Sequence, residues 1–182
     1  GAATVSGTIG TGIGTLTLQE DAPTSTGAVT LAGSVTASTL TTFDRGYNVS
    51  LNGGATITSD TNFLNTGTTT LGNATADTLT FTGGLGAIAG AISAAGTINT
   101  TNTQMDLGAV TVTADGQTLV LDTHTGGGAL NITSITGVAG GAKENIQLIS
   151  GTAATTVTGN IGTDINTITL QENAGTSTGA VD

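Results

Sequence analysis

The sequence contains no cysteine and no tryptophan, a single proline and very few charged residues. Without cysteine the fold has no disulfide bond, so its stability must come from another source. Arg45 and Lys143 are the only lysine or arginine residues, against 12 acidic ones, and the net charge is -10. Nucleic acids and anionic membranes both attract basic surfaces, so we expect neither as a partner.

Long hydrophobic runs and catalytic motifs are absent as well. No apolar run reaches the roughly 18 residues of a membrane-spanning helix, so we expect no membrane insertion. The sequence has neither a G-x-S-x-G elbow nor a phosphate-binding loop. One arginine and one lysine cannot line the kind of groove that cleaves polysaccharides on a β-helix. We therefore expect no enzyme, no catalytic residue and no cofactor.

Threonine and glycine dominate what is present, with 43 and 30 copies. Glycine costs roughly 1 kcal/mol in a helix interior, whereas threonine and the other β-branched residues fit a pleated strand. Short runs alternate apolar and polar residues, as in TLTL (15–18), YNVSL (47–51) and AVTVT (109–113). Glycine-rich turns such as NGG (52–54) and TGGG (125–128) separate these runs. The chain is predicted to be all-β.

The short and fairly regular spacing of the strand starts fits either a β-solenoid or a sandwich. Only three phenylalanines and one tyrosine are present, which favours the narrow aliphatic interior of a solenoid. The small residues of 83–98 would let neighbouring coils approach closely. At about 18–25 residues per coil, we predict a parallel β-helix of roughly seven to nine coils with uncapped ends. Tandem β-sandwich repeats are the alternative.

The end of the chain repeats its beginning. Residues 153–182 match residues 1–30 at 20 of 30 positions, an offset of 152 residues. We interpret residues 1–152 as one complete repeat unit and 153–182 as the start of the next copy, equivalent to 1–30. Residue 153 is then expected to continue the stack where residue 1 would start. The predicted partner is the chain itself, head to tail along a fibre axis.

Three runs carry a resemblance to a known class of proteins: TTTLGNATADTLTFTGG (68–84), TNTQMDLGAVTVTADGQTLVLDT (101–123) and TVTGNIGTDINTITLQENAGTSTGAV (156–181). They resemble the repeats of giant bacterial β-strand-repeat surface proteins, which are similar to filamentous-haemagglutinin-type adhesins and autotransporter passenger domains. The resemblance implies a secreted or cell-surface location and an elongated β-helix. It supplies no catalytic residue.

Two groups of residues are candidate interaction surfaces. The loop FDRGYN (43–48) concentrates Phe43, Asp44, Arg45 and Tyr47, and it could recognise a glycan or a protein partner. The other interpretation is a corner loop whose aromatic rings cover the flank of the solenoid. Thr-x-Thr triplets could align into an ice-binding face, although their starts are irregularly spaced. The candidate threonines are Thr15, Thr17, Thr39, Thr41, Thr56, Thr58, Thr78 and Thr80.

Calcium is the one metal that the composition suggests. Acidic solenoids bind calcium through GGxGxDxUx nonapeptides, but the nine aspartates here are scattered without that spacing. The pair Glu20–Asp21, repeated as Glu172–Asn173, could supply a ligand between units, and the change from Asp to Asn weakens that idea. His124 is the only histidine, and we interpret it as a solvated turn residue. We therefore predict no metal site.

The repetition and the predicted solenoid together indicate a mechanical function. We expect a structural extracellular protein that forms a fibre, sheath, surface layer or adhesin stalk by end-to-end stacking of repeats. The alternatives are an adhesin that binds through the loop around 43–48, and an ice-binding threonine face.

Overall fold

The chain winds into a parallel β-solenoid of about seven turns. The computed structural model describes residues 1–19, 24, 26–171 and 178–182, and no helix occurs among them. The strands are β1 (Ala3–Val5), β2 (Ile9–Thr17), β3 (Val29–Leu31), β4 (Val35–Thr41), β5 (Val49–Leu51), β6 (Ala55–Ile57), β7 (Thr61–Phe63), β8 (Thr69–Leu71), β9 (Thr78–Phe81), β10 (Leu85–Ile88), β11 (Ile92–Ala94), β12 (Thr97–Thr100), β13 (Met105–Val112), β14 (Thr118–Asp122), β15 (Leu130–Thr136), β16 (Glu144–Ile149), β17 (Thr155–Val157) and β18 (Ile165–Leu170). The predicted parallel β-helix is confirmed, and the β-sandwich alternative is excluded because sandwich sheets are antiparallel.

The strands line three sides of the solenoid, which we name face 1, face 2 and face 3. Face 1 contains β1, β3, β5, β8, β11 and the second halves of β13 and β15. Face 2 contains β2, β4, β6, β9, β12, β14, β16 and β18. Face 3 contains β7, β10, the first halves of β13 and β15, and β17. Because β13 and β15 run around the corner from face 3 to face 1, these two faces form one sheet.

The ends of β2 and β4 also turn a corner, from face 2 to face 3. Thr42 follows β4 directly, and its hydroxyl accepts the Leu64 N–H at 2.8 Å beside β7. The turns differ in length: the turn that brings Ile92 beside Val110 is much shorter than the turn that brings Leu119 beside Ile146. The corners absorb these differences, so the strands stay in register along each face.

The interior is a narrow column of aliphatic side chains. In a three-residue strand, the first and third side chains point inward and the middle one points outward. Leu31, Leu51 and Leu71 therefore stack in register on consecutive turns, and all three are buried. Burying one such leucine contributes roughly 1.5–3 kcal/mol. Phe63 and Phe81 add one edge-to-face contact, with ring centroids 6.2 Å apart.

Glycine is required where the backbones of neighbouring turns touch at the corners. A Cβ atom on Gly33 would collide with the carbonyl oxygen of Gly7 in the preceding turn. A Cβ atom on Gly90, within the stretch 83–98, would collide with the carbonyl oxygen of Gly67. Small residues in this stretch therefore permit the close approach that the sequence predicts.

The two copies of the repeated segment have the same local structure but lie on different faces. Ala3 pairs with Val29, and the equivalent Thr155 pairs in the same way with Val181. Gln19 and Gln171 share a left-handed backbone, with φ of 56° and 57°. However, β1 lies on face 1 and β17 lies on face 3. The division of the chain into a unit of 1–152 and a second copy stays a prediction. If it holds, the second copy starts on face 3, whereas the first copy starts on face 1.

Candidate functional site

The loop around 43–48 turns its tyrosine into the molecule. Tyr47 has no exposed surface. Its hydroxyl donates to the carbonyl oxygen of Leu18 at 3.1 Å and accepts the N–H of Phe43 at 2.9 Å. Burial raises the pKa of the Tyr47 phenol above its ordinary value, although the bond from Phe43 opposes the rise. Tyr47 thus ties this corner to the first turn of the solenoid, and its side chain presents no surface to solvent.

The rest of the loop is accessible to different degrees. Asp44 is exposed, and Phe43 and Arg45 are half-buried. The guanidinium of Arg45 donates from Nη1 to the carbonyl oxygen of Asp44 at 2.6 Å. The backbone oxygen of Arg45 accepts the N–H of Thr66 at 2.9 Å, so the loop is fixed to the next turn. A recognition role for this loop stays a prediction, and it would depend on Asp44, Arg45 and Phe43.

The threonine triplets align over short distances only. Thr15 and Thr17 pair in register with Thr39 and Thr41, which gives two hydroxyl pairs on adjacent turns. On face 2, Thr56 pairs with Thr80, and Thr80 then pairs with Asn99.

The remaining triplet residues do not extend this column. Thr78 pairs with Thr97, displaced along the strand from Thr80, and Thr58 lies outside the strands, directly after β6. The eight candidate threonines therefore do not form one two-column array.

A longer column of hydroxyls lies on face 1, and the sequence pattern did not reveal it. It contains seven residues in register: Thr4, Thr30, Ser50, Thr70, Ser93, Thr111 and Thr136. Six of them lie between two apolar or threonine side chains, Thr136 lies between Ile135 and Gly137, and no strand segment of face 1 carries a charge. The segments VTL (29–31) and VSL (49–51) each contribute one outward hydroxyl. The alignment of these hydroxyls into a column is apparent only when the strand register is known.

Face 3 carries a shallow cleft of about 390 Å³. Ala87 and Gly108 are among the residues that line it, and their small size leaves space between the neighbouring side chains. Asp106 lines it and accepts the side-chain amides of Gln104 and Asn131, both at 2.6 Å. These bonds fix the carboxylate, so the cleft presents oriented polar groups to solvent.

The two ends of the solenoid expose apolar side chains. Val5 and Ile13 are 39% and 38% exposed in the first turn, and Leu170 and Val181 are 45% and 39% exposed in the last. The first-copy equivalent of Leu170 is Leu18, which is only 4% exposed. Leu18 lies in the first turn and bonds to Thr41 of the following turn, whereas Leu170 lies in the last turn and pairs with Leu148 of the preceding one. At each end, apolar side chains are left open on the axial side that no turn covers.

No group of three or more potential metal-ligating side chains occurs among the described residues. The proposed calcium pairs Glu20–Asp21 and Glu172–Asn173 lie outside those residues. His124 is exposed with a left-handed backbone, and its N–H donates to the Asp122 carboxylate at 2.7 Å. Across the described ranges, no helix is long and apolar enough to span a membrane.

Comparisons with protein-family models, with curated protein sequences and with solved structures find no significant match. The parallel solenoid is consistent with the β-helix repeat proteins that the sequence resembles. Evidence about function must therefore come from the faces and ends of the solenoid.

Proposed function

We propose that the chain is a section of an extracellular fibre or adhesin stalk in which repeats stack end to end. The observation that carries this proposal is the apolar surface left open at both ends of the solenoid. Val5 and Ile13 are 39% and 38% exposed in the first turn, and Leu170 is 45% exposed in the last, although their in-register neighbours Leu31, Ala37 and Leu148 are buried. The end surface therefore has the composition of an interior that the next turn would cover.

The junction between copies has a template within the chain itself. β15 pairs with β17 over three residue pairs, and β16 pairs with β18 over five. These contacts join the last turns of the unit 1–152 to the segment that repeats residues 1–30. A covalent array would reproduce the same ladder at every junction, and its stability would grow with each added neighbour.

The distribution of charge suits this mechanism. The described acidic residues lie mostly at corners or on outward positions, so stacking along the axis brings few like charges together. The net charge of -10 instead keeps neighbouring rods apart in solution. The repeats would thus associate end to end along the axis in preference to associating side by side.

The proposal is tested by proteins that contain one, two or three copies of residues 1–152, each ending with 153–182. At about 4.8 Å per turn, every added copy should lengthen the rod by about 32 Å, measured by X-ray scattering or electron microscopy. Separate globules joined by flexible segments would contradict the proposal.

A matched pair of substitutions sharpens this test. Leu170→Glu places a charge where the next turn should lie, and it should open the junction of a two-copy protein to protease. Leu64→Glu is the control, because Leu64 is equally exposed, at 47%, but lies on the side of the solenoid. Equal protease resistance of the two variants would show that the end surface is not covered.

An adhesin that binds through the loop 43–48 is the second candidate function. The exposed Asp44 and the half-buried Arg45, held together on a loop fixed by Tyr47, favour it. Asp44→Ala and Arg45→Ala should abolish attachment to cells or glycans without unfolding the chain. Tyr47 is unsuited to this test, because its replacement would disturb the core.

A further inference from the structure

The position of the repeated segment defines how successive copies are rotated. Face 1 starts with β1 and passes through β3, β5, β8, β11, β13 and β15, which makes six complete turns. The equivalent of β1 is β17, which lies two faces further along the chain, on face 3. One unit of 152 residues, the offset between the two copies, therefore makes six turns and two thirds of a turn.

Other residue pairs in the repeated segment show the same shift. Ile9 pairs with Val35 on face 2, whereas its equivalent Ile161 pairs with Ile135 on face 1. Leu16 lies at the end of β2, where the chain turns onto face 3, whereas its equivalent Ile168 pairs on face 2. The shift is one face in the same direction each time, so it is a rotation of the whole copy and not a local distortion.

We propose that successive copies in the array are rotated by one third of a turn, so that the fibre has an approximate threefold screw axis. This inference rests on the proposed stacking of repeats. Three copies then complete about 20 turns and return to the starting face after about 95 Å. A unit with a whole number of turns would instead repeat every feature along one side.

The rotation determines where the fibre displays its surfaces. The hydroxyl column starts at Thr4 on face 1, but the equivalent Thr156 pairs with Asn131 on face 3. Each copy therefore presents its hydroxyl column, its corner loop and its polar cleft toward a different side. A partner that recognises any of these surfaces would be bound from three directions around the axis.

Engineered cysteine pairs test the rotation within the chain, which has no cysteine of its own. Asn131→Cys with Thr156→Cys should form a disulfide on mild oxidation, because paired strand positions lie about 4.8 Å apart, within disulfide range. Thr136→Cys with Thr156→Cys should not, although this pair would meet if the second copy started on face 1. Thr4→Cys with Thr30→Cys is the positive control, since these residues pair in register. Cross-linking of the 136–156 pair alone would overturn the proposal.

The array itself is tested with a three-copy protein that carries one gold-labelled cysteine per copy at the exposed Thr111 position. Electron microscopy should show a continuous rod with labels on three sides, one third of a turn apart. Labels along one side of a continuous rod would overturn the rotation but leave the fibre intact. Labels on separate globules would overturn the proposed fibre function, and the rotation with it.

Discussion

Leucines at equivalent positions in the two copies offer the sharpest test of end-to-end stacking. Leu18 and Leu170 occupy the same place in the repeat, but they are 4% and 45% exposed. Substituting each by alanine removes the same atoms from a closed environment in one case and from a half-open one in the other. Because Leu18 and Leu170 lie on different faces, Leu18 serves only as the reference for a closed site, and stacking is tested by Leu170→Ala with and without a following copy.

The expected costs follow from burial. Leu18→Ala leaves a cavity in a packed site, which typically costs about 2–5 kcal/mol. Leu170→Ala removes side-chain surface that is already half in water and leaves no closed cavity, so it should cost about 1 kcal/mol. In a protein extended by a second full copy, the Leu170→Ala cost should rise to the range of about 2–5 kcal/mol that we expect for Leu18.

Amide hydrogen exchange is the appropriate assay, because a solenoid opens locally from its ends. The Gln171 N–H donates to the carbonyl oxygen of Leu148 at 2.9 Å, so its exchange reports the opening of the last turn. A cost of about 1 kcal/mol accelerates exchange about fivefold, and about 2 kcal/mol accelerates it about 30-fold. The Leu18 N–H, bonded to the Thr41 carbonyl oxygen at 3.0 Å, reports the first turn.

An unchanged effect of Leu170→Ala in the lengthened chain would refute end-to-end stacking. That result would mean that the second copy does not cover the last turn. An accompanying urea titration of each protein guards against a general loss of structure, because only the local exchange rates should differ between the two positions.

Three further predictions concern the corners. Tyr47→Phe should cost about 1–3 kcal/mol, because the Leu18 carbonyl oxygen and the partly buried Phe43 N–H lose their partner. Since burial raises the pKa of Tyr47 in the folded state, its contribution is present below about pH 10 and is lost as the pH rises above that, and Tyr47→Phe should remove this alkaline loss. Gly33→Ala should destabilise the fold by about 1–3 kcal/mol, whereas Gly46→Ala, with open space at its Cβ, should be tolerated. Asn65→Ala should cost about 1–3 kcal/mol, because the buried amide of Asn65 donates to the Tyr47 carbonyl oxygen and the Thr69 hydroxyl.

Denaturant unfolding and its pH dependence measure these effects. An unchanged stability of Tyr47→Phe, or an alkaline loss that persists in it, would contradict the assigned hydrogen bonds. Equal stabilities of the two glycine variants would contradict the close contact at the corner. For the threonine triplets, we expect no thermal hysteresis, because they align over short distances only; a clear hysteresis would revive the ice-binding alternative.

The local sequence pattern was sufficient for the fold class. Alternating segments such as VTL (29–31) and VSL (49–51) form three-residue strands whose first and third side chains point into the interior. The near absence of aromatic residues predicted a narrow aliphatic interior, and the stacked leucines Leu31 and Leu51 confirm it. These features depend on neighbouring residues only, so periodicity can reveal them.

The candidate sites were harder to predict, because they depend on residues from different turns. Tyr47 was a candidate recognition residue, but its ring fills the interior and its hydroxyl bonds to Leu18, far earlier in the chain. The hydroxyl column of face 1 is not apparent from the sequence, because each turn contributes one residue and the sequence intervals between these residues vary. Sequence spacing alone does not show which residues of successive turns lie side by side.

The sequence by itself determined that this protein is all-β, repetitive and built for parallel stacking, because side-chain alternation and glycine corners act over a few residues. Only the tertiary structure decided which face each strand occupies. The face of each strand depends on the lengths of all the corners before it. These lengths differ between turns, as the pairs Ile92–Val110 and Leu119–Ile146 show. The one-third turn between copies is the result of the sum of these lengths, and no single stretch of sequence contains it.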